Sequence, residues 1–321
     1  MYQTLSNASL KTGETAEIGV LLAPDADDSH GVGALLGHKG DYWRWHVDEA
    51  LARELDGIET RYYVALIGGR AVSNVMTVEH AGVGLLGHVF TLPEQRRKGL
   101  CQAIFEQLMP DLRARGVERL TLGTGYDSAP YWIYHRAGFR SVLPESGFMK
   151  IDLRDDFAPR WFAPGAVTPA AFTWRHWPTA SQLFAEDIGQ GLTLYGAGAF
   201  GAFNFEGLGL QLLKAIADGR PLQVWVLEKD NSAVVGLASL RPDDRWGGRV
   251  HLLDLVGHAD FGAELPRLLE HLTWPAAKVQ CYLPTAAEAR CAAVEACGFQ
   301  REGVLRRQLA GGGDVALYAR E

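Results

Sequence analysis

Apolar positions along this chain change period several times, and the changes mark out its elements. Within 38–55, Trp45, Val47, Ala50, Leu51 and Leu55 fall near helical spacing, with Asp41 as a candidate cap. Two runs of strand character, 61–67 and 71–79, flank Gly68–Gly69, which predicts a hairpin. A third run, 85–92, stops at Pro93. Leu100, Ile104, Leu108 and Leu112 then share one helical face up to Gly116, with Pro110 placed to kink the last turns. A strand at 118–125, a short helix at 128–139 with Gly138 near its end, and a hairpin at 141–152 follow. Residues 1–30 are polar and predict no element.

The second half repeats this order. A hairpin around Asn231–Ser232, a strand at 249–257, a helix at 261–272, a strand at 278–284, a helix at 286–299 and a closing hairpin at Gly311–Gly313 succeed one another. The pairs Gly138–Phe139 and Gly298–Phe299 lie 160 residues apart, half the chain, which predicts a tandem duplication. Between the halves, four prolines and three tryptophans in 153–180 predict a linker packed on a surface. The expected division is 1–155, a linker at 156–175, and 176–321.

Composition narrows the functional classes. The 321 residues carry a formal net charge of −7, which argues against a general phosphate-backbone binder and so against nucleic acid as a partner. No stretch has the roughly 18 uncharged apolar residues of a membrane helix, and the first residues lack a basic segment followed by an apolar one. The four cysteines have no CxxC spacing and do not alternate with histidines as zinc ligands do. The expectation is a cytoplasmic protein with reduced thiols, no metal and no membrane partner, present as a monomer or homodimer.

The chemistry concentrates in 89–108. A strand ends at Pro93, and Arg96, Arg97, Lys98 and Gly99 precede a helix. The first turn of a helix leaves backbone N–H groups without partners and carries partial positive charge. Gly99 lets an anion approach the backbone, and three cations stand beside it, a cradle suited to a pyrophosphate. A G-x-G-x-x-G match at Gly82–Gly87 is different. The residues after it read as strand, so a nicotinamide or flavin site is not expected.

The segment V-x-T-x-P-E-x-R-x-x-G-x-x, ending Arg96-Arg97-Lys98-Gly99-Leu100-Cys101, resembles the acetyl-CoA signature of the GCN5-related N-acetyltransferase (GNAT) superfamily. Cys101 departs from the usual Gly or Ala. Ala129 to Phe139 is similar to the superfamily's A-x-x-x-x-Y-x-x-x-G-F helix. The resemblance implies an α/β (α+β) fold of two tandem GNAT-like domains, each a mixed, mostly antiparallel central sheet flanked by helices. It implies an acetyl-CoA-dependent N-acetyltransferase in which a primary amine attacks the thioester directly in a ternary complex. Phosphates would meet the backbone of Arg97 to Cys101, through Leu100, with Arg96 and Lys98 nearby. Pantetheine would pair with Phe90 and Thr91. Tyr134 matches the tyrosine that stands near the thioester sulfur, where a phenol can protonate the leaving thiolate.

A base is needed as well, and Glu79 and His88 are the candidates on the central strands, with His80 beside them. Tyr42, Trp43, Trp45 and His46 are candidates for an acceptor pocket, with Asp48 and Glu49 placed to attract a cationic amine. The acceptor is expected to be a small-molecule amine, a protein amine being the alternative. Aligning the halves sets Ala259 to Glu264 opposite Arg96 to Cys101 and Val294 opposite Tyr134. The arginine and the tyrosine are both absent there, so a degenerate second domain is expected, one that supports the first and walls part of its acceptor site. A non-catalytic acyl-CoA-binding sensor or scaffold is the competing class, and a binding module without ligand is a third.

Overall fold

The structure is a computed structural model that describes residues 1–186 and 193–321. The chain divides into two compact units, Met1–Phe157 and Ala158–Glu321.

The first unit runs β1 (Tyr2–Ser9), β2 (Thr15–Leu22), α1 (Val32–Leu35), α2 (Asp41–Ala52), β3 (Glu59–Ile67), β4 (Arg70–His80), β5 (Val83–Thr91), α3 (Leu100–Ala114), β6 (Arg119–Gly123), α4 (Ala129–Arg136), β7 (Arg140–Ser141) and β8 (Phe148–Asp152). Its sheet has the order β1-β2-β3-β4-β5-β6-β8-β7, antiparallel except where β5 meets β6. Leu100, Ile104, Leu108 and Leu112 of α3 pack in one core with Tyr63, Ala65, Val75, Leu86 and Leu120. Strand alternation turns Tyr62, Val64, Asn74 and Met76 to the opposite face. Pro110 sits within α3, which continues to Ala114.

The second unit opens with α5 (Phe157–Trp161, its first residue lying in the first unit), followed by β9 (Val167–Ala171), α6 (His176–Phe184), β10 (Thr193–Leu194), β11 (Ala199–Phe200), α7 (Glu206–Ala217), β12 (Gln223–Lys229), β13 (Val234–Pro242), β14 (Val250–Gly257), α8 (Leu265–Leu269), β15 (Lys278–Pro284), α9 (Glu288–Ala296), β16 (Gln300–Leu305) and β17 (Val315–Arg320). The main sheet has the order β16-β17-β15-β14-β13-β12-β9, and again one parallel pair, β14 with β15, lies inside an antiparallel sheet. Both units are therefore mixed sheets flanked by helices.

Several elements differ from the sequence reading. Residues 2–22 form a hairpin, β1 with β2, because β2 buries Ala16, Ile18 and Val20 while β1 is a largely exposed edge. The stretch expected to link the halves contributes β9, paired along β12. Gly40, not Asp41, caps α2. The helix expected at 261–272 is a 3-10 segment, Ala259–Glu264, broken at Phe261, and then the short α8. The G-x-G-x-x-G match holds a turn at Gly82 and strand residues of β5.

Candidate active site

β5 and β6 pair only at Val83–Arg119, Gly84–Leu120 and Leu85–Thr121, and then part. On the other side of β5 the ladder with β4 breaks. Asn74 faces Phe90 and Met76 faces Gly87, so His88 and Val89 together oppose the single residue Val75. This is a β-bulge, and His88 takes a left-handed conformation, φ +49°, to make it. A bulge bends its strand and leaves backbone groups outside the ladder, beside the gap between β5 and β6.

A cavity of about 1110 Å³ opens at that gap, with β5, α3 and α4 around it. Phe90, Thr91, Arg96, Arg97, Gly99, Leu100, Cys101 and Tyr134 all line it. Gly99, at φ +98°, caps α3 without a side-chain bond, and a Cβ placed there would meet nothing within 4 Å. The α3 amides thus face open space with positive charge beside them. Arg96 donates to the Thr91 carbonyl at 3.2 Å, which holds its guanidinium at the end of β5. Burial pushes the Cys101 thiol up to about 11, so it stays protonated near neutral pH and acts as a small apolar wall. Tyr134 is buried between Phe105 and Phe139, with ring centroids 6.0 and 6.2 Å away.

Residues 22–139 match the profile of the Acetyltransferase (GNAT) family. This part of the chain is a GNAT domain. No protein of curated function matches the chain in sequence. Among solved structures, the chain is similar to an acetyltransferase of the GNAT family from Streptococcus pneumoniae, at 14% identity over 48% of this chain and 98% of that one, TM-score 0.40. It is similar to a phosphinothricin acetyltransferase from Sinorhizobium meliloti in complex with AcCoA, at 16% over 48% and 87%, TM-score 0.41. It is also similar to a spermidine N-acetyltransferase from Vibrio cholerae in complex with CoA and spermine, at 18% over 48% and 94%, TM-score 0.35.

The remaining candidates of the GNAT domain fall in three places. Lys98 turns away from the cavity lining, its Nζ 2.8 Å from Glu14. His88 lies on the α2 side of the sheet, its ring 5.9 Å from His46 and 5.5 Å edge-on from Trp43. Burial, reinforced by His46, Lys39 and His38, holds His88 well below the usual imidazole range. It is therefore neutral at pH 7, and its buried Nε2 has no hydrogen-bond partner. Tyr42 tilts against Trp43 at 5.1 Å, and Trp45 is half-buried on the same helix. Asp48 and Glu49 are bound to Arg44 and Arg53 along α2, which leaves them neutralised.

The structure does not bring Glu79 to this place. It lies five residues from Asn74 along β4, about 17 Å at strand rise. Its carboxylate takes both terminal nitrogens of Arg115 and the Thr77 hydroxyl at 2.6 Å. Arg115 also binds Asp111 at 2.8 Å and the Tyr63 hydroxyl at 2.9 Å, so the cluster locks the end of α3 to the sheet. Sequence reasoning missed Lys11, Phe105, Met109 and Ile133 in the cavity wall, and Asn74 at the bulge. Lys11 comes from the unforeseen β1–β2 turn. Ile133 and Ala137 flank Tyr134 on one helical face, a signal available from spacing.

In the second unit β14 and β15 pair from Val250–Lys278 to Leu253–Cys281 and then part in the same way. There β13 and β14 stay in continuous register, without a bulge. Gly262, which aligns with Gly99, would place a Cβ 2.5 Å from that of Ala289 on α9. Buried Arg290 of α9 donates to the Leu255 carbonyl of β14 at 3.1 Å. Asp254, also on β14, accepts from the Gly196 amide at 2.9 Å. Among the described residues no group of three or more His, Cys, Asp or Glu is placed to hold a metal, and no helix is long and apolar enough to cross a membrane.

Proposed function

We propose that the first unit transfers an acetyl group from acetyl-CoA to a primary amine in a ternary complex, and that the second unit is a degenerate relative without an acyl-CoA site. The observation that carries this reading is the cavity at the β5–β6 gap, where a cationic helix start and Tyr134 meet. The amides of Arg97 to Cys101 and the Arg96 and Arg97 guanidinia suit the pyrophosphate. The parted edge of β5 at Phe90 and Thr91 suits the pantetheine amides. The amine arrives as an ammonium on the α2 side. Its extra proton passes to solvent as it enters, and His88 Nε2, too weakly basic to hold a proton itself, accepts an N–H of the neutral amine. The neutral nitrogen attacks the thioester carbon and the C–S bond breaks. The thiolate takes the Tyr134 phenol proton, and the phenolate recovers a proton from the new amide nitrogen. An ammonium and acetyl-CoA thus become an N-acetyl amide, CoA thiol and one released proton. A small-molecule amine is the acceptor in this reading.

Calorimetric titration with acetyl-CoA tests it, with Arg96→Glu as control, followed by a screen of primary amines. One site per chain at micromolar affinity, lost in the control, supports the reading. Two sites contradict the assignment of the second unit. Absence of binding sinks the assignment as a whole. Binding with no turnover on any amine favours a sensor instead.

A further inference from the structure

Asparagine is disfavoured inside strands, yet Asn74 sits fully buried in the middle of β4. Its Nδ2 donates to the His88 carbonyl at 3.0 Å, across the bulge. Only the amide NH₂ can donate to a carbonyl, so this bond fixes which end of the side chain is oxygen. That Oδ1 is buried and has no partner, and neither has His88 Nε2. Two buried polar atoms without partners, an amide oxygen and an imidazole nitrogen that accepts when the ring proton is on Nδ1, therefore stand at one bulge, on the face that also carries His46 and Trp43. Buried polar atoms of this kind are as a rule satisfied by a partner. A neighbouring pair of acceptors calls for a group with several N–H donors, as an amine or ammonium has.

We propose that Asn74 is an acceptor-binding residue, anchored by Nδ2 on the His88 carbonyl so that Oδ1 holds one N–H of the incoming amine while His88 Nε2 faces another. This rests on the acetyl-transfer reading above and adds a residue to it. The Ser73 hydroxyl, 2.7 Å from that of Thr91, ties the same two strands on the other face, so the bulge does not depend on Asn74 alone.

The test uses the full chain, with hydroxylamine as the amine and acetohydroxamate as the product. Asn74→Ala is compared with Asn74→Ser, which retains a hydroxyl in the strand should the alanine variant fold poorly. The expected result is at least a tenfold fall in kcat/KM for hydroxylamine, with the Kd for acetyl-CoA changed less than twofold. Unchanged transfer at saturating acetyl-CoA overturns the inference. So does a loss of transfer that merely follows a loss of acetyl-CoA affinity, because that describes a residue supporting only the bulge. A wild-type protein that fails to bind acetyl-CoA overturns the underlying reading, and this inference with it.

Discussion

Gly99 caps α3 and Gly262, its counterpart in the alignment of the two halves, lies within the 3-10 segment before α8, and their surroundings are opposite. Gly99 faces empty space within the cleft of the first unit. Gly262 is packed so closely on Ala289 that a methyl group would not fit. The same contrast runs through both clefts. β5 carries a bulge where β14 runs in register, and Arg290 donates to the β14 backbone where the first unit has a cavity. The parting of two parallel strands is thus common to both units and does not by itself make a site. What makes one is a strand edge left without partners and a helix start left without a neighbour. The second unit satisfies both from its own side chains.

The largest expected effect concerns how the open cleft stays open. Glu79 and Arg115 fasten the far end of α3, so Glu79→Ala should cost about 3 kcal/mol in urea unfolding, by taking two hydrogen bonds from a largely buried guanidinium that Asp111 and Tyr63 then satisfy only in part. Acetyl transfer at low temperature should persist. A complete loss of kcat with unchanged stability would return Glu79 to the chemistry. Next, Tyr134→Phe should lower kcat about 100-fold while calorimetric acetyl-CoA affinity holds, since in the proposed transfer the phenol acts only on the leaving group. Equal activity would remove the main functional difference between Tyr134 and Val294. Arg290→Ala should lower the stability of the second unit by about 1–3 kcal/mol, by orphaning the Leu255 carbonyl. Acetyl-CoA stoichiometry should nevertheless stay at one per chain, because the bulge and the cations are still lacking. A second binding event in that variant would show that the arginine alone closes the cleft.

Per pH unit, the smallest effect is the pH dependence of stability. Burial pushes His46 down to about 3, so the unfolded chain binds its proton first as pH falls below about 6.5. Stability present above that value is then lost at about 1.4 kcal/mol per unit towards pH 3. His46→Phe should remove that slope, with His88, His38 and Lys39 the other groups acting nearby. Asp254 in the second unit moves the other way. Burial raises its carboxyl, so it favours the folded state as pH falls and that contribution fades as pH rises through its folded value. An acid-unfolding curve unchanged in His46→Phe would contradict the buried, neutral imidazole.

Much of this was legible in the residues themselves. The apolar face Leu100–Ile104–Leu108–Leu112 became the core side of α3, and Gly68–Gly69 became the β3–β4 turn, both glycines at positive φ. Seven of the residues chosen from the strand–loop–helix motif line one cavity together with Tyr134, because such a motif is local and carries its own geometry. The β1–β2 hairpin was not legible, since an exposed polar edge strand lacks the alternation that reveals a buried one.

The sequence by itself determined most of the order of elements within 38–152 and 222–321, the repeat, the cationic helix start and the tyrosine helix. Each rests on periodicity or on residues close in the chain. Only the tertiary structure decided what Glu79 does, which face His88 takes, and that Asn74 meets it. A bulge shifts the alternation of every later residue in its strand, and an ion pair such as Glu79–Arg115 joins residues 36 positions apart. Neither is written in local spacing, because both are settled only when the strands and helices pack together.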